Sequence, residues 1–319
     1  MMPKIATPVE VLRQHFGDRL QVNAPLARLT SARVGGPAEA LLEAESAAEL
    51  AEMTTFMWQN GIDYLVLGGG SNILVSDRGF AGVVLLNHAR SVRFEDDLDQ
   101  PVVWAESGAN FGALARQACS RGLSGLEWAV GIPGTVGGAV VGNAGAHGAD
   151  MSVNLILADI LQRNSLTSSQ GRIEPIKETW PVEKMEFQYR SSILKRQPET
   201  GVVLSAQLKL ERSTPEAAQA RANSFTEHRR RTQPPGATMG SMFKNPSGDF
   251  AGRLIEAAGL KGMQVGDAEI SLLHANFFVN RGQAAAQDIY ELIKLARQTV
   301  EARFGVRLEL EIELVGEWS

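Results

Sequence analysis

The sequence predicts an α+β fold, and three observations carry that prediction. Helix-like and strand-like segments are mixed without the regular alternation of a doubly wound sheet, two glycine-rich stretches interrupt the first half, and the texture turns helical near residue 212. Ser46 and Glu49 stand in capping-box spacing ahead of a helix that Gly61 ends. The runs "YLVLGGG", "NILVS", "GVVLLN" and "PVVWAESG" are short, apolar and β-branched, so they read as strands broken by glycine or by the polar turn "EDDLDQ". Asn110 caps a second helix, "NFGALARQACSRG", which Gly122 stops. "NLILADILQR" and "VVLSAQLKLE" read as further strands, the second alternating apolar with polar. Ser213 or Thr214 then caps a helix with Pro215 at its first position, which places a domain boundary between residues 212 and 213. Helices over "FAGRLIEAAG" and "AAAQDIYELIKLARQTVEARFG" and a closing strand over "VRLELEIELVG" complete the order. At the other end, residues 1–24 form a lead-in that mixes Lys4, Glu10, Arg13 and Asp18, the start of a helix and not a secretory signal.

A chain of 319 residues with 44% apolar and 21% charged side chains is long enough for two domains with proper cores. No stretch approaches the eighteen or so apolar residues of a membrane span. Cys119 is the single cysteine, which excludes an intrachain disulfide framework or a multi-cysteine metal site and fits a reducing cytoplasm. The net charge of −5 argues against general nucleic-acid binding, while an acidic protein can still keep a basic pocket for an anionic substrate. His15, His88, His147 and His228 show no metal-ligand spacing with acidic partners, so no metal is expected.

Seven of the eighteen residues in "GIPGTVGGAVVGNAGAHG" (131–148) are glycine, and "LGGGSN" lies at 67–72. Bare backbone lets N–H groups approach phosphate oxygens without a cationic side chain. One such stretch alone reads as a tight turn between strands. Two of them, with Ser71, Asn72, Thr135 and Asn143 offering hydrogen bonds among the glycines, point to a pyrophosphate-bearing ligand. Neither the dinucleotide fingerprint nor the P-loop pattern is present, so another scaffold must hold it.

The blocks "LGGGSNILVSD", "GIPGTVGGAVVGNAGAHG", "YRSSILK", "GSMFKNP", "FAGRLIEAAGLKG" and "HANFFVN", in this order, closely resemble the UDP-N-acetylenolpyruvoylglucosamine reductase family of flavoenzymes. The resemblance implies an FAD-binding region of the PCMH type, like that of vanillyl-alcohol oxidases, over residues 25–212, with subdomains at about 25–98 and 99–212. It also implies a C-terminal α+β domain for the UDP-sugar over 213–319. By the same resemblance Gly68, Gly69, Gly70, Ser71 and Asn72 line the FAD site. So do Gly131, Ile132, Pro133, Gly134 and Thr135, together with Gly137, Gly138, Asn143 and Gly145. Oxidases of the wider superfamily join the flavin to a histidine in G-G-H-S; this chain has Gly68-Gly69-Gly70-Ser71, so dissociable FAD is expected.

The reaction implied is reduction of an enolpyruvyl ether, with NADPH as co-substrate and a hydride passing from FAD N5 to the substrate's methylene carbon. Negative charge then spreads over the α-carbon and its carboxylate, where it must be stabilised and quenched. Arg190 and Glu311 match the family's enolate-stabilising pair, and Ser241 matches its proton donor. Read alone, Arg190 is a surface arginine, Ser241 a turn residue and Glu311 part of a solvated acidic strand face with Glu309 and Glu313. The family has proline where this chain has Leu310, so Glu309 is the fallback for Glu311. Lys244 and Asn245 follow Ser241 and are expected near the diphosphate, as is at least one of Arg229, Arg230 and Arg231. His274 and Asn276 frame the nucleotide-sugar. A monomer in the cytoplasm with ping-pong kinetics is expected.

Three positions depart from the family pattern: Gly142 in place of methionine, His147 in place of tyrosine and Leu273 in place of lysine. Two rival readings stand beside this one: on the same scaffold, a flavin oxidase of alcohols or sugar lactones; and from another class, a catalytically idle flavin- or nucleotide-sugar-binding protein, which the presence of Arg190, Ser241 and Glu311 disfavours.

Overall fold

Local signals build the elements, and the computed structural model, which describes residues 8–163 and 174–318, shows them at work. Lys4 and the rest of residues 1–7 lie outside that range. The Ser46 hydroxyl accepts the Glu49 N–H at 3.2 Å and opens the helix Ala47–Asn60, closed by Gly61 in the left-handed conformation. Asn110 does the same for Phe111–Ser120, accepting the Ala113 N–H at 2.7 Å. Of the two candidate caps before Pro215–Thr232, Thr214 is the one used, accepting the Ala217 N–H at 3.2 Å.

Contacts divide the chain into two units, each discontinuous in sequence. The first comprises the chain up to Leu20, Leu41–Gly69 and Val83–Glu227. Its main sheet is antiparallel, in the order Ile176–Pro181, Leu155–Gln162, Gly201–Lys209, Val102–Glu106, Val92–Glu95. Phe111, Leu114, Trp128, Val136, Val140 and Ala206 are among the side chains of its core. Ala218 and Ala222 of the Pro215–Thr232 helix are buried there too. The boundary expected at 212/213 therefore falls inside this unit: the helix was read as the start of a new domain, but its small apolar stripe packs against the preceding core.

The second unit joins Gln21–Ala40 and Gly70–Gly82 to the chain from His228 onward. Its antiparallel sheet runs Ala237–Ser241, Phe277–Asn280, Ala268–Ile270, Gln264–Val265. The helix Ala286–Phe304 contributes Ile289, Leu292, Ile293, Ala296 and Val300 to the core, the spacing of an apolar helical stripe. Ala285 has no capping side chain, and Asp77 supplies the cap from afar, accepting the N–H groups of Ala286 and Gln287 at 2.9 Å each.

Two segments differ from the sequence reading. The glycine-rich stretch is not all loop: Val136–Gly142 is helical, with Thr135 as cap and Val136, Ala139 and Val140 buried at helical spacing. The closing strand is only Glu313–Val315, paired parallel with Ile73–Val75, while Leu310 bridges Phe243 in the antiparallel sense. Between the two pairings the backbone bends, at Glu311 and Ile312. Among the described residues no helix is long and apolar enough to cross a membrane.

Candidate active site

Arg190 sits at the tip of a tight turn in the first unit. Gln188 and Ser191 exchange backbone hydrogen bonds at 2.9 and 3.0 Å, which leaves Tyr189 and Arg190 as the corner residues. Arg190 has φ 57°, a left-handed conformation that a residue with a Cβ adopts at a cost. The turn is tied to the glycine-rich segment on both arms. The Ser192 hydroxyl donates to the Val141 carbonyl at 2.7 Å, and the Asn143 amide donates to the Gln188 carbonyl at 3.0 Å. A Cβ on Gly145 would lie 3.1 Å from Arg190 Nη1 and 2.7 Å from Asp150 Cβ, so glycine there clears the path of the guanidinium. Ser192 and Gln188 were not singled out from the sequence; the serine pair in "YRSS" was the available signal.

The two glycine-rich segments meet within this unit. A Cβ on Gly68 would lie 2.5 Å from Thr135 Oγ1, and one on Gly69 would lie 2.9 Å from Gly134 Cα. Part of the glycine content thus serves backbone packing. The amides of Val136, Gly137 and Gly138 are engaged internally, with Ala109 O, Ser107 O and Thr135 Oγ1. Gly69, Gly131, Pro133 and Gly138 are exposed, and neither segment carries a carboxylate. Exposed, uncharged backbone of this kind fits the pyrophosphate and ribityl chain of FAD. His147, with φ 54°, stacks on Phe225 at 4.2 Å and 14°, the use this chain makes of its departure from tyrosine.

In the second unit Ser241 ends its strand half-buried, and Glu311 is half-buried at the bend. The Glu311 N–H donates to Met242 O at 3.0 Å, and the Met242 N–H donates to Asn276 O at 2.7 Å. Asn72 seats the same glutamate, donating from Nδ2 to Glu311 O at 3.1 Å while its own carbonyl accepts the Glu313 N–H at 2.9 Å. Glu309, the fallback, is 73% exposed in its side chain and faces Lys244 Nζ at 3.7 Å. Burial therefore favours Glu311.

The residues expected on the UDP-sugar divide. Asn276 is 2% exposed, and its Oδ1 and Nδ2 both bond to the backbone of Phe243. Asn245 is exposed and its Oδ1 accepts the Ala251 N–H at 3.1 Å, starting the helix Ala251–Ala257. His274 accepts the Asn276 N–H on Nδ1 at 3.2 Å, which makes Nε2 its protonated nitrogen when neutral. Burial, followed by the nearby Lys261, lowers its pKa from the ordinary histidine value. Of the three arginines, Arg229 is half-buried while Arg230 and Arg231 are exposed, and desolvation pulls the Arg229 pKa down. A partly desolvated guanidinium is the stronger anion ligand.

One cluster escaped the sequence reading. His88 Nδ1 lies 3.5 Å from carboxylate oxygens of both Glu43 and Glu45, and three potential ligand atoms fall within 4.8 Å of one another. Glu43 lies in the strand Pro37–Ala44 and Glu45 directly follows it, and the His88 N–H bonds to Ala44 O between them.

The exposed, uncharged glycine-rich backbone of the first unit fits an FAD-binding protein, and residues 38–173 match the FAD-binding domain model, the class of a flavin oxidoreductase. Residues 232–315 match the UDP-N-acetylenolpyruvoylglucosamine reductase C-terminal domain. The chain is 44% identical over 307 residues to the UDP-N-acetylenolpyruvoylglucosamine reductase of Chloroflexus aggregans, covering 95% of this chain and 100% of the relative. It is 45% identical over 308 residues to that of Synechococcus elongatus, covering 95% and 96%. The crystal structure of the Thermus caldophilus enzyme superposes with a TM-score of 0.76 at 35% identity, over 93% of this chain and 98% of the other. The chain belongs to the UDP-N-acetylenolpyruvoylglucosamine reductase family, and its cofactor is FAD.

Proposed function

We propose that the chain reduces the enolpyruvyl ether of UDP-N-acetylglucosamine to UDP-N-acetylmuramate with NADPH, as a cytoplasmic monomer serving peptidoglycan synthesis. When bound, FAD supplies the two-electron chemistry between NADPH and the alkene. Gly68 to Asn72 and Gly131 to Thr135, with Gly137, Gly138 and Gly145, would hold it. Arg190 pairs its planar fork with the substrate carboxylate, where negative charge grows as the alkene is reduced. Glu311 helps Arg190 to stabilise the same developing charge. Ser241 gives its hydroxyl proton to the α-carbon and regains one from water, because an alkoxide cannot persist at neutral pH. Arg229 and Lys244 neutralise the diphosphate.

The bonding through Met242 that fixes Glu311 beside the Ser241 strand carries this reading. An anaerobic titration tests it: NADPH should bleach the flavin of the purified protein, and the enolpyruvyl UDP-sugar should restore the colour. Bleaching by an alcohol or a sugar lactone and restoration by molecular oxygen, with the UDP-sugar inert, would mark the protein as a flavin oxidase. Failure to bind flavin would end the reading altogether.

A further inference from the structure

Asn143 is placed by the family resemblance among the cofactor ligands, yet its surroundings give it other work. The residue is 3% exposed and caps the Val136–Gly142 helix in the left-handed conformation, φ 43° and ψ 59°. Its Nδ2 donates to Gln188 O at 3.0 Å and to Asp150 Oδ2 at 3.3 Å, and its Oδ1 accepts the Ser152 N–H at 3.2 Å. Two amide hydrogens and the carbonyl are thereby committed within the protein.

The Gln188 carbonyl that it holds is also the one that closes the turn, accepting the Ser191 N–H at 3.0 Å. Arg190 lies inside that turn with φ 57°. A backbone in this region relaxes unless its surroundings over-determine it. Asn143 supplies one restraint and Ser192, through Val141 O, the other.

We infer that Asn143 is a positioning residue for Arg190, and that its amide sets where the guanidinium meets the substrate carboxylate. The inference rests on the role given above to Arg190, and its test separates the two. Asn143→Gly keeps a backbone free to adopt φ 43° and removes the amide. Asn143→Asp keeps the shape and the bond from Ser152 but turns an acceptor toward Gln188 O, and it serves should the glycine variant fail to fold. Rapid mixing reads the two half-reactions separately, and fluorescence reads FAD affinity.

At saturating UDP-sugar, flavin reoxidation should slow about 10- to 100-fold in either variant, the scale of a misplaced catalytic group. Flavin reduction by NADPH and FAD affinity should stay within about two-fold. In an Arg190→Ala background the same substitution should cost no further reoxidation rate, since its effect acts through the missing arginine. Losses that add in the double variant, or that fall equally on both half-reactions or on FAD affinity, overturn the inference while leaving Arg190 in its role. Reoxidation unaffected by Arg190→Ala alone instead overturns the role of Arg190.

Discussion

Asn276 holds Phe243 by both of its backbone groups: Oδ1 accepts the Phe243 N–H at 2.9 Å and Nδ2 donates to the Phe243 carbonyl at 2.8 Å. A side chain here mimics a neighbouring strand, two residues beyond Ser241. Asn276→Ala leaves two buried backbone groups without partners and should destabilise the protein by about 2–4 kcal/mol. Urea unfolding gives that number. Unchanged stability with a raised KM for the UDP-sugar would instead place Asn276 on the substrate.

Ser241→Ala should separate the two half-reactions. NADPH should still bleach the flavin at a near-normal rate, while turnover of the enolpyruvyl substrate falls by about 10² to 10⁴, the usual range for loss of a general acid. Stopped-flow absorbance measures both. Equal losses in the two steps would make the serine structural.

His274 should contribute a pH dependence to stability. Its native pKa lies below the unfolded value of 6.5 because burial disfavours the imidazolium. The unfolded chain therefore takes up the proton first as pH falls, so the contribution is complete above about pH 6.5 and is lost below it. His274→Asn retains an acceptor for the Asn276 N–H and removes the titration. Its unfolding free energy should change less than that of the wild type between about pH 7.5 and 5. Identical slopes would show that the histidine titrates alike in both states.

Gly142 stands last in its helix, and a Cβ there would meet nothing within 4 Å. Gly142→Ala should raise stability by about 0.5–1 kcal/mol by removing freedom from the unfolded chain. Flavin affinity should not change. A thermal melt settles the first point, and a loss of FAD would show that this gap belongs to the cofactor.

Caps and apolar periodicity made most elements legible. Ser46, Asn110 and Thr214 each act where their sequence position says they should, because a cap bonds to an amide three residues away. The helix inside the glycine-rich stretch was missed: glycine masks the Val136, Ala139, Val140 spacing, which is readable only once Thr135 is known to be a cap. The alternating glutamates failed differently. Alternation says which faces residues take in a straight strand, and the bend at Glu311 and Ile312 ends the straightness. Arg190, Ser241 and Glu311 carried no signal of their own, and ordered family blocks alone singled them out. Asn276 and Asn143 were named from the blocks, but only packing reveals that their amides face backbone. The partners of His88 lie on another strand and could not be read from spacing.

The seat of Glu311 has a bearing on how the protein is made. Asn72, which holds its carbonyl, precedes it by 239 residues, and Ala32, Val34 and Leu74 belong to a core completed by the C-terminal third. On a ribosome adding roughly 5–20 residues per second, those early apolar segments emerge many seconds before the later residues that share their core. The first unit is complete in sequence at Glu227 and can fold while the chain is still attached. The second needs the residues from His228 onward, so Glu311 is seated only after the whole of the first unit has been made.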